Sequence, residues 1–308
     1  MTAAHVTARV PGKINLQLSV GALRGDGFHE LATVFQAVGL YDEVTLTETP
    51  GHALSLSVIG PGAEQVPTTD DNLAAKAVRA IAARLGVRAD VAIGISKGLP
   101  VAAGMAGGSA DAAAALLAAD TLWSGRLSRS ELSELAADLG SDVPFLLHGG
   151  TAVGTGRGET LTPALSRGSF TWVLAISDGI LSTPAVYAEL DRIREGETVA
   201  KPAVSPAVLT AVAAGDARML GVALSNDLAV AAQSLRPQLR QVIEFGLESG
   251  ALGGMVSGSG PTCAFLVEGD ESGLDLAVAL SAAGLCRTVR RANGPVPGAT
   301  VIDSGGLH

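Results

Sequence analysis

Pro100-Val-Ala-Ala-Gly104-Met-Ala-Gly107-Gly108-Ser109-Ala-Asp111 is the stretch on which the reading of this chain turns. Residues 91–96, just before it, are apolar enough for a buried strand, and the alanine-rich residues 109–122 predict a helix after it. Glycines let backbone N–H groups converge with no side chains in the way. The helix start adds free N–H donors and the positive end of a dipole. Strand, glycine loop and helix start, in that order, make a cradle for a polyphosphate. Ser109 is placed to cap the helix and to donate to a phosphate oxygen, and Asp111, in the first turn, could hold a metal-bound water. The Gly-Lys-Ser/Thr of a Walker loop is absent, as is the Gly-x-Gly-x-x-Gly spacing of a dinucleotide site. A tight connection with no ligand is the plain alternative.

Three other segments bear on that choice. Pro11-Gly-Lys13-Ile-Asn15-Leu-Gln-Leu puts a lysine and an asparagine two residues apart, on the same side of an early strand. Gly140-Ser-Asp142-Val-Pro-Phe sets a carboxylate on what reads as a tight helix-to-strand connection. Val256-Ser-Gly258-Ser-Gly260-Pro-Thr262 is a second turn able to present backbone donors. Each has a bland reading by itself: a solvated lysine, a turn-stabilising aspartate, a hairpin. Together they supply a cation, a base and a donor cradle.

The 308 residues leave room for one large domain or two ordinary ones. Hydrophobic residues make up 47% and charged residues 17%, enough apolar material for a sizeable core. Aromatics are only 3%, so that core must be built from Ala, Val, Leu and Ile. A net charge of -9 argues against nucleic acid as a partner. With only four lysines (Lys13, Lys76, Lys97 and Lys201), each merits attention. No basic, apolar leader opens the chain and no run of about 18 apolar residues occurs. Cys263 and Cys286 stand far apart in strand-like runs and read as reduced, packed thiols. The expectation is a cytoplasmic protein without a membrane partner.

Strands are predicted over residues 5–10 (stopping at Pro11-Gly12), 14–20, 31–40, 43–48, 54–59, 91–96, 145–153, 171–176, 251–256, 263–267 and 286–291. Asn72 and the Ser128…Glu131 capping box start two helices, which run to about residues 83 and 140. Further helices are expected at 184–194, 206–213, 227–233, 237–248 and 273–283. Residues 195–205 read as an exposed loop. The mixed order gives an α+β protein, divided near residue 163 into units of 1–163 and 164–308.

In this order, the segments resemble the three motifs of the GHMP kinases, over almost the whole chain. Gly25-Asp-Gly27-Phe28-His29-Glu-Leu-Ala-Thr33-Val-Phe-Gln36 and the Asp142 segment are similar to those of the branch acting on a cytidine diphosphate-linked methylerythritol. The resemblance implies an N-terminal domain like ribosomal protein S5 domain 2, a ferredoxin-like C-terminal domain, and a cleft between them for ATP and substrate. It implies ATP and Mg2+, small-molecule partners only, and a monomer or weak homodimer. In roles it implies Lys13 and Asp142 as catalytic residues. Pro100, Val101, Ala102, Ala103, Gly104, Met105, Ala106, Gly107, Gly108, Ser109 and Ala110 would form the ATP loop. Asn15, Phe28, His29, Thr183, Gly258 and Ser259 would hold the substrate, with Ser109 or Asp111 available to the metal. Ala102, Ala103 and Ala106 stand where the family commonly has glycine, so their φ angles are expected to be unstrained. Phe28 stands where Tyr is common, which keeps stacking and loses a hydroxyl. Another small-alcohol kinase of the family, or a non-catalytic nucleotide-binding relative, is the alternative.

Overall fold

The computed structural model describes residues 3–306; only the outermost ends of the two expected units, 1–2 and 307–308, lie outside the described residues. Two long strands, β1 (His5–Leu23) and β2 (His29–Glu48), pair antiparallel along most of their length. The break predicted at Pro11-Gly12 is instead a register shift, with others at Asn15/Gln17 and Val20/Leu23. A bulge absorbs a residue that cannot pair and bends the strand, so proline interrupts the ladder there without ending it.

The first half continues with β3 (Ser55–Ile59), α1 (Leu73–Leu85), β4 (Val91–Ser96), α2 (Gly107–Leu122), α3 (Arg129–Leu139), α4 (Val143–His148), β5 (Thr151–Gly156) and β6 (Thr160–Pro163). Asn72 accepts from Ala74 N at 2.8 Å to start α1, and the predicted capping box starts α3. The strand expected over 145–153 is not formed. Residues 143–148 are α4, with Pro144 in its first turn, and Gly149 and Gly150 at φ 69° and 72° end it before β5. A short apolar run has no period that separates helix from strand, and here it forms a helix. Asp142 therefore lies between two helices.

The second half runs through β7 (Phe170–Ile176), α5 (Thr183–Ile193), α6 (Pro206–Ala214), α7 (Ala217–Ala223), β8 (Ser225–Asn226), α8 (Ala229–Leu235), α9 (Gln238–Glu248), β9 (Gly253–Val256), β10 (Thr262–Val267), α10 (Asp270–Ala282), β11 (Thr288–Gly294) and β12 (Thr300–Gly305). Of these, α7, β8 and β12 were not anticipated, nor was β6 in the first half. The predicted loop at 195–205 carries no helix or strand.

One sheet follows the order β12-β1-β2-β4-β3, with β5 and β6 branching from β2 and β8 beside β1. The other has the order β11-β7-β10-β9 and is antiparallel throughout. Counted within itself, that order is fourth-first-third-second, the arrangement expected of a ferredoxin-like unit. The two sheets share a core. Phe170, Trp172 and Leu174 point from β7 into the cluster that also holds β1, β2 and α2, while Val173 and Ala175 face α8, α9 and α10. Trp172 Nε1 donates to Gln36 Oε1 at 2.9 Å across this seam. Eleven residues of α2 are buried, seven of them alanine, so sheet and helices can approach it closely.

Candidate active site

A cleft of about 890 Å³ opens where the two halves meet. Lys13 and Asn15 reach it from the same side of β1, as their spacing predicted. Lys13 Nζ donates to Asn15 Oδ1 at 2.8 Å, Asn15 Nδ2 donates to Thr33 Oγ1 at 2.8 Å, and Thr33 Oγ1 donates to Gln17 O at 2.6 Å. This chain of bonds fixes which way the amide faces and holds the buried ammonium in place. Lys13 Nζ lies 5.5 Å from the centre of the Phe35 ring, within cation–π range. From the opposite wall, Asp142 brings Oδ2 to 3.9 Å from Lys13 Nζ. Asp142 begins α4 with its backbone while its side chain makes no cap bond, so the carboxylate is left to the cleft.

The glycine loop forms the floor. Ala102, Ala103, Gly104, Ala106, Gly107, Gly108 and Ser109 line the cleft. Met105 and Ala110 are fully buried beneath it, and Pro100 and Val101 lie at its shoulder, outside the cleft wall. Two expectations fail here. Ala102 and Ala106 adopt φ of 52° and 58°, so these alanines are held in the left-handed region rather than replacing glycine at relaxed positions. Helix α2 starts at Gly107 behind Ala106 with no side-chain cap, so Ser109 sits inside the first turn and does not cap it. Ser109 lines the cleft together with Gly107 and Gly108, the first-turn residues whose N–H groups have no partner within the helix.

The second glycine turn packs directly on the first. Gly104 has φ 74°, and a Cβ there would run into Ser257 O and lie 2.9 Å from Gly260 O. Ser257 Oγ donates to Gly104 O at 3.2 Å, and Asn226 Nδ2 donates to Val256 O and Gly258 O, both at 2.8 Å. A Cβ on Gly258 would lie 3.4 Å from Lys13 Nζ, so this turn covers the lysine. Thr183 and Ser259 share a hydrogen bond of 2.8 Å between their hydroxyls.

Farther along the cleft, His29 Nε2 and Asp191 Oδ1 are hydrogen-bonded at 2.9 Å. The ring stacks on Tyr187 with centroids 5.0 Å apart. Burial, then the charge of Asp142, push the Tyr187 phenol up to about 12, so it stays protonated. Phe28 is 50% exposed, and Arg157 lies over its ring, 4.9 Å from the centroid.

Residues 72–150 match the family model of the GHMP kinases N-terminal domain, and residues 208–284 that of the GHMP kinases C-terminal domain. A Streptomyces avermitilis protein named 4-diphosphocytidyl-2-C-methyl-D-erythritol kinase is 57% identical over 298 residues, covering 96% of this chain and 99% of its own. This chain is a GHMP kinase. The Mycobacterium tuberculosis protein of the same name is 54% identical over 97% of this chain and 93% of its own. A crystal structure of 4-(cytidine 5'-diphospho)-2C-methyl-D-erythritol kinase superposes with a TM-score of 0.76 at 31% identity, covering 93% of this chain and 98% of that one. Membership implies ATP as the phosphoryl donor.

Asp111 has a different place in this GHMP kinase from the one its sequence position suggested. It faces the core, where Lys97 Nζ donates to its Oδ2 at 2.8 Å and also pairs with Asp42. Asp42 Oδ1 accepts from Gly98 N at 2.7 Å and Leu99 N at 2.8 Å. Burial holds the Asp111 carboxyl above its ordinary range, against the pull of Lys97. This buried triad braces the loop from behind and withdraws Asp111 from any metal in the cleft. Among the described residues, no group of three or more His, Cys, Asp or Glu is placed to hold a metal ion, and no helix is long and apolar enough to cross a membrane.

Sequence reasoning missed Arg157, Tyr187, Asp191 and the role of Lys97 in this kinase. Two of these carried a readable signal. Thr183, Tyr187 and Asp191 are four apart, so on α5 they form one stripe, and all three line the cleft. Asp42 and Lys97, 55 residues apart in the chain, had none.

Proposed function

We propose that the kinase transfers the terminal phosphoryl group of ATP to the 2-hydroxyl of 4-diphosphocytidyl-2-C-methyl-D-erythritol, giving the 2-phosphate and ADP. The step belongs to the non-mevalonate route to isoprenoid precursors, and we place it in the cytoplasm, in a monomer or weak homodimer. The observation that carries this reading is the ion pair of Lys13 with Asp142, 3.9 Å apart, in the same cleft as the glycine loop and the His29–Tyr187 stack.

Phosphoryl transfer needs positioning and charge stabilisation more than covalent help. Asp142 accepts the proton of the attacking hydroxyl. Lys13, held by Asn15, offsets the charge that grows on that oxygen and on the phosphoryl group in flight. The free N–H groups at the loop and the start of α2 hold the triphosphate. At the other end His29 Nδ1, which no described residue bonds, accepts from the exocyclic amine of cytosine, and Phe28 gives the base a flat surface. Thr183 and Ser259 offer hydroxyls to the polyol or diphosphate.

Mg2+ fits this site as an ion brought by the nucleotide. It commonly takes one or two protein ligands beside phosphate oxygens and water. The Ser109 hydroxyl is the loop side chain available to it, Asp111 being paired with Lys97. Once bound, the ion would neutralise and orient the phosphate oxygens.

Replacing Asp142 with Asn tests the assignment. Turnover should fall by about 10²–10⁴ while ATP binding persists. A D142N enzyme releasing ADP at the wild-type rate would remove Asp142 from the role of base.

A further inference from the structure

Among the described residues lining the cleft, two side chains carry a permanent positive charge, Lys13 and Arg157. Lys13 is committed to Asn15 and Asp142. Arg157 sits at the tip of the turn between β5 and β6, flanked by Gly156 at φ 73° and Gly158 at φ 105°. Gly158 N donates to Thr155 O at 3.0 Å, and the Glu159 carboxylate accepts the Arg157 backbone N–H at 2.6 Å. A Cβ on Gly158 would lie 3.5 Å from Phe35, the ring beneath Lys13. The turn and the lysine are thus set by one piece of core.

The guanidinium carbon lies 4.9 Å from the centre of the Phe28 ring, within cation–π range, and its N–H groups make no hydrogen bond to any described residue. Glu159 Oε1 is 3.8 Å from Arg157 Nε, close enough to attract and too far to bond. Contact with an aromatic face through the guanidinium carbon leaves the N–H donors, held in a rigid fork, free for another partner. Such a fork matches the paired oxygens of a phosphate. A substrate with a base at one end and a reacting hydroxyl at the other carries its diphosphate between Phe28 and Lys13. We propose that Arg157 anchors this diphosphate, with Phe28 holding the guanidinium on one side. The proposal rests on the cytidine reading above, and it assigns recognition of the linker to a residue apart from the phosphoryl-transfer pair.

The test is isothermal titration of wild type, Arg157→Met and Arg157→Lys with two probes, cytidine diphosphate and cytidine. Methionine keeps much of the stem and removes the charge; lysine keeps the charge and loses the fork. With 37% of the arginine side chain exposed, solvent moderates the interaction, and the expected loss in R157M is about tenfold for cytidine diphosphate. Cytidine should bind R157M as it binds wild type, and R157K should fall between the other two for the diphosphate. Equal diphosphate affinity in wild type and R157M overturns the proposal. So does an equal loss for both probes, which would mean that the arginine acts through the base or through Phe28. If wild type binds neither probe, the cytidine reading fails and the anchor goes with it.

Discussion

Lys97→Met should be among the most damaging single substitutions outside the cleft, and its cost can be worked from the contacts. The lysine, 2% exposed, stands between Asp42, 0% exposed, and Asp111, 3% exposed. Without the ammonium, Asp42 keeps the Gly98 and Leu99 N–H groups on Oδ1. Asp111, whose Oδ1 is already without a partner, keeps only the neighbouring Asp42 carboxyl, with which it would have to share a proton. Removing one member of a buried ion pair costs about 3–5 kcal/mol, most of it the stranded charge. The two backbone donors on Asp42 favour the lower end, about 3 kcal/mol, or a fall in melting temperature of roughly 4–6 °C for a chain of this length. Asp111→Asn should cost about 1–2 kcal/mol, since an amide oxygen can still accept from Lys97. Urea and thermal unfolding followed by circular dichroism would measure both. A K97M protein melting within about 2 °C of wild type would refute the bracing role of the triad. A tenfold rise in the Mg2+ needed by D111N would return Asp111 to the metal.

Three further outcomes follow from the same geometry. His29→Ala should raise the Michaelis constant for the cytidine substrate about tenfold and leave that for ATP nearly unchanged, as steady-state kinetics with each substrate varied would register. Gly104→Ala pushes the two glycine turns apart at Ser257 and Gly260, and should lower kcat/KM for ATP by about 10² in a chain that still folds. Burial pushes the Cys263 thiol up to about 12, so at pH 8 a disulfide reagent should modify at most Cys286 in the native protein and both thiols in denaturant. Rapid modification of two thiols in the native state would contradict the packing of β10.

The parts of the site legible in the sequence were those set by local spacing. Lys13 and Asn15, two apart on a strand, had to share a face; the loop 100–111 had to join a strand to a helix; the capping residues of α1 and α3 announced themselves. What failed depended on partners far along the chain. Asp111 looked like a helix-start acid with a free carboxylate until Asp42 arrived from β2 and Lys97 from just beyond the end of β4. Ala102 and Ala106 read as evidence of relaxed backbone because local preference was the only guide, whereas the packing of Gly104 against residues 257–260 dictates the curve of the loop. The run 143–148 was too short to show a period. Strand β12 was hidden for a related reason: Val301 and Ile302 stay substantially exposed at a sheet edge, so the segment lacks the apolar signature of a buried strand.

Trp172 carries one more implication. It is wholly buried, and its indole N–H is committed to Gln36 on the other side of the seam. Split after β6, either fragment would bare a broad greasy wall and strand a polar partner, so neither could live alone as a soluble product. Exchange of parts with a relative should therefore succeed for loops hung on the shared frame and fail when the nucleotide-gripping portion is swapped whole.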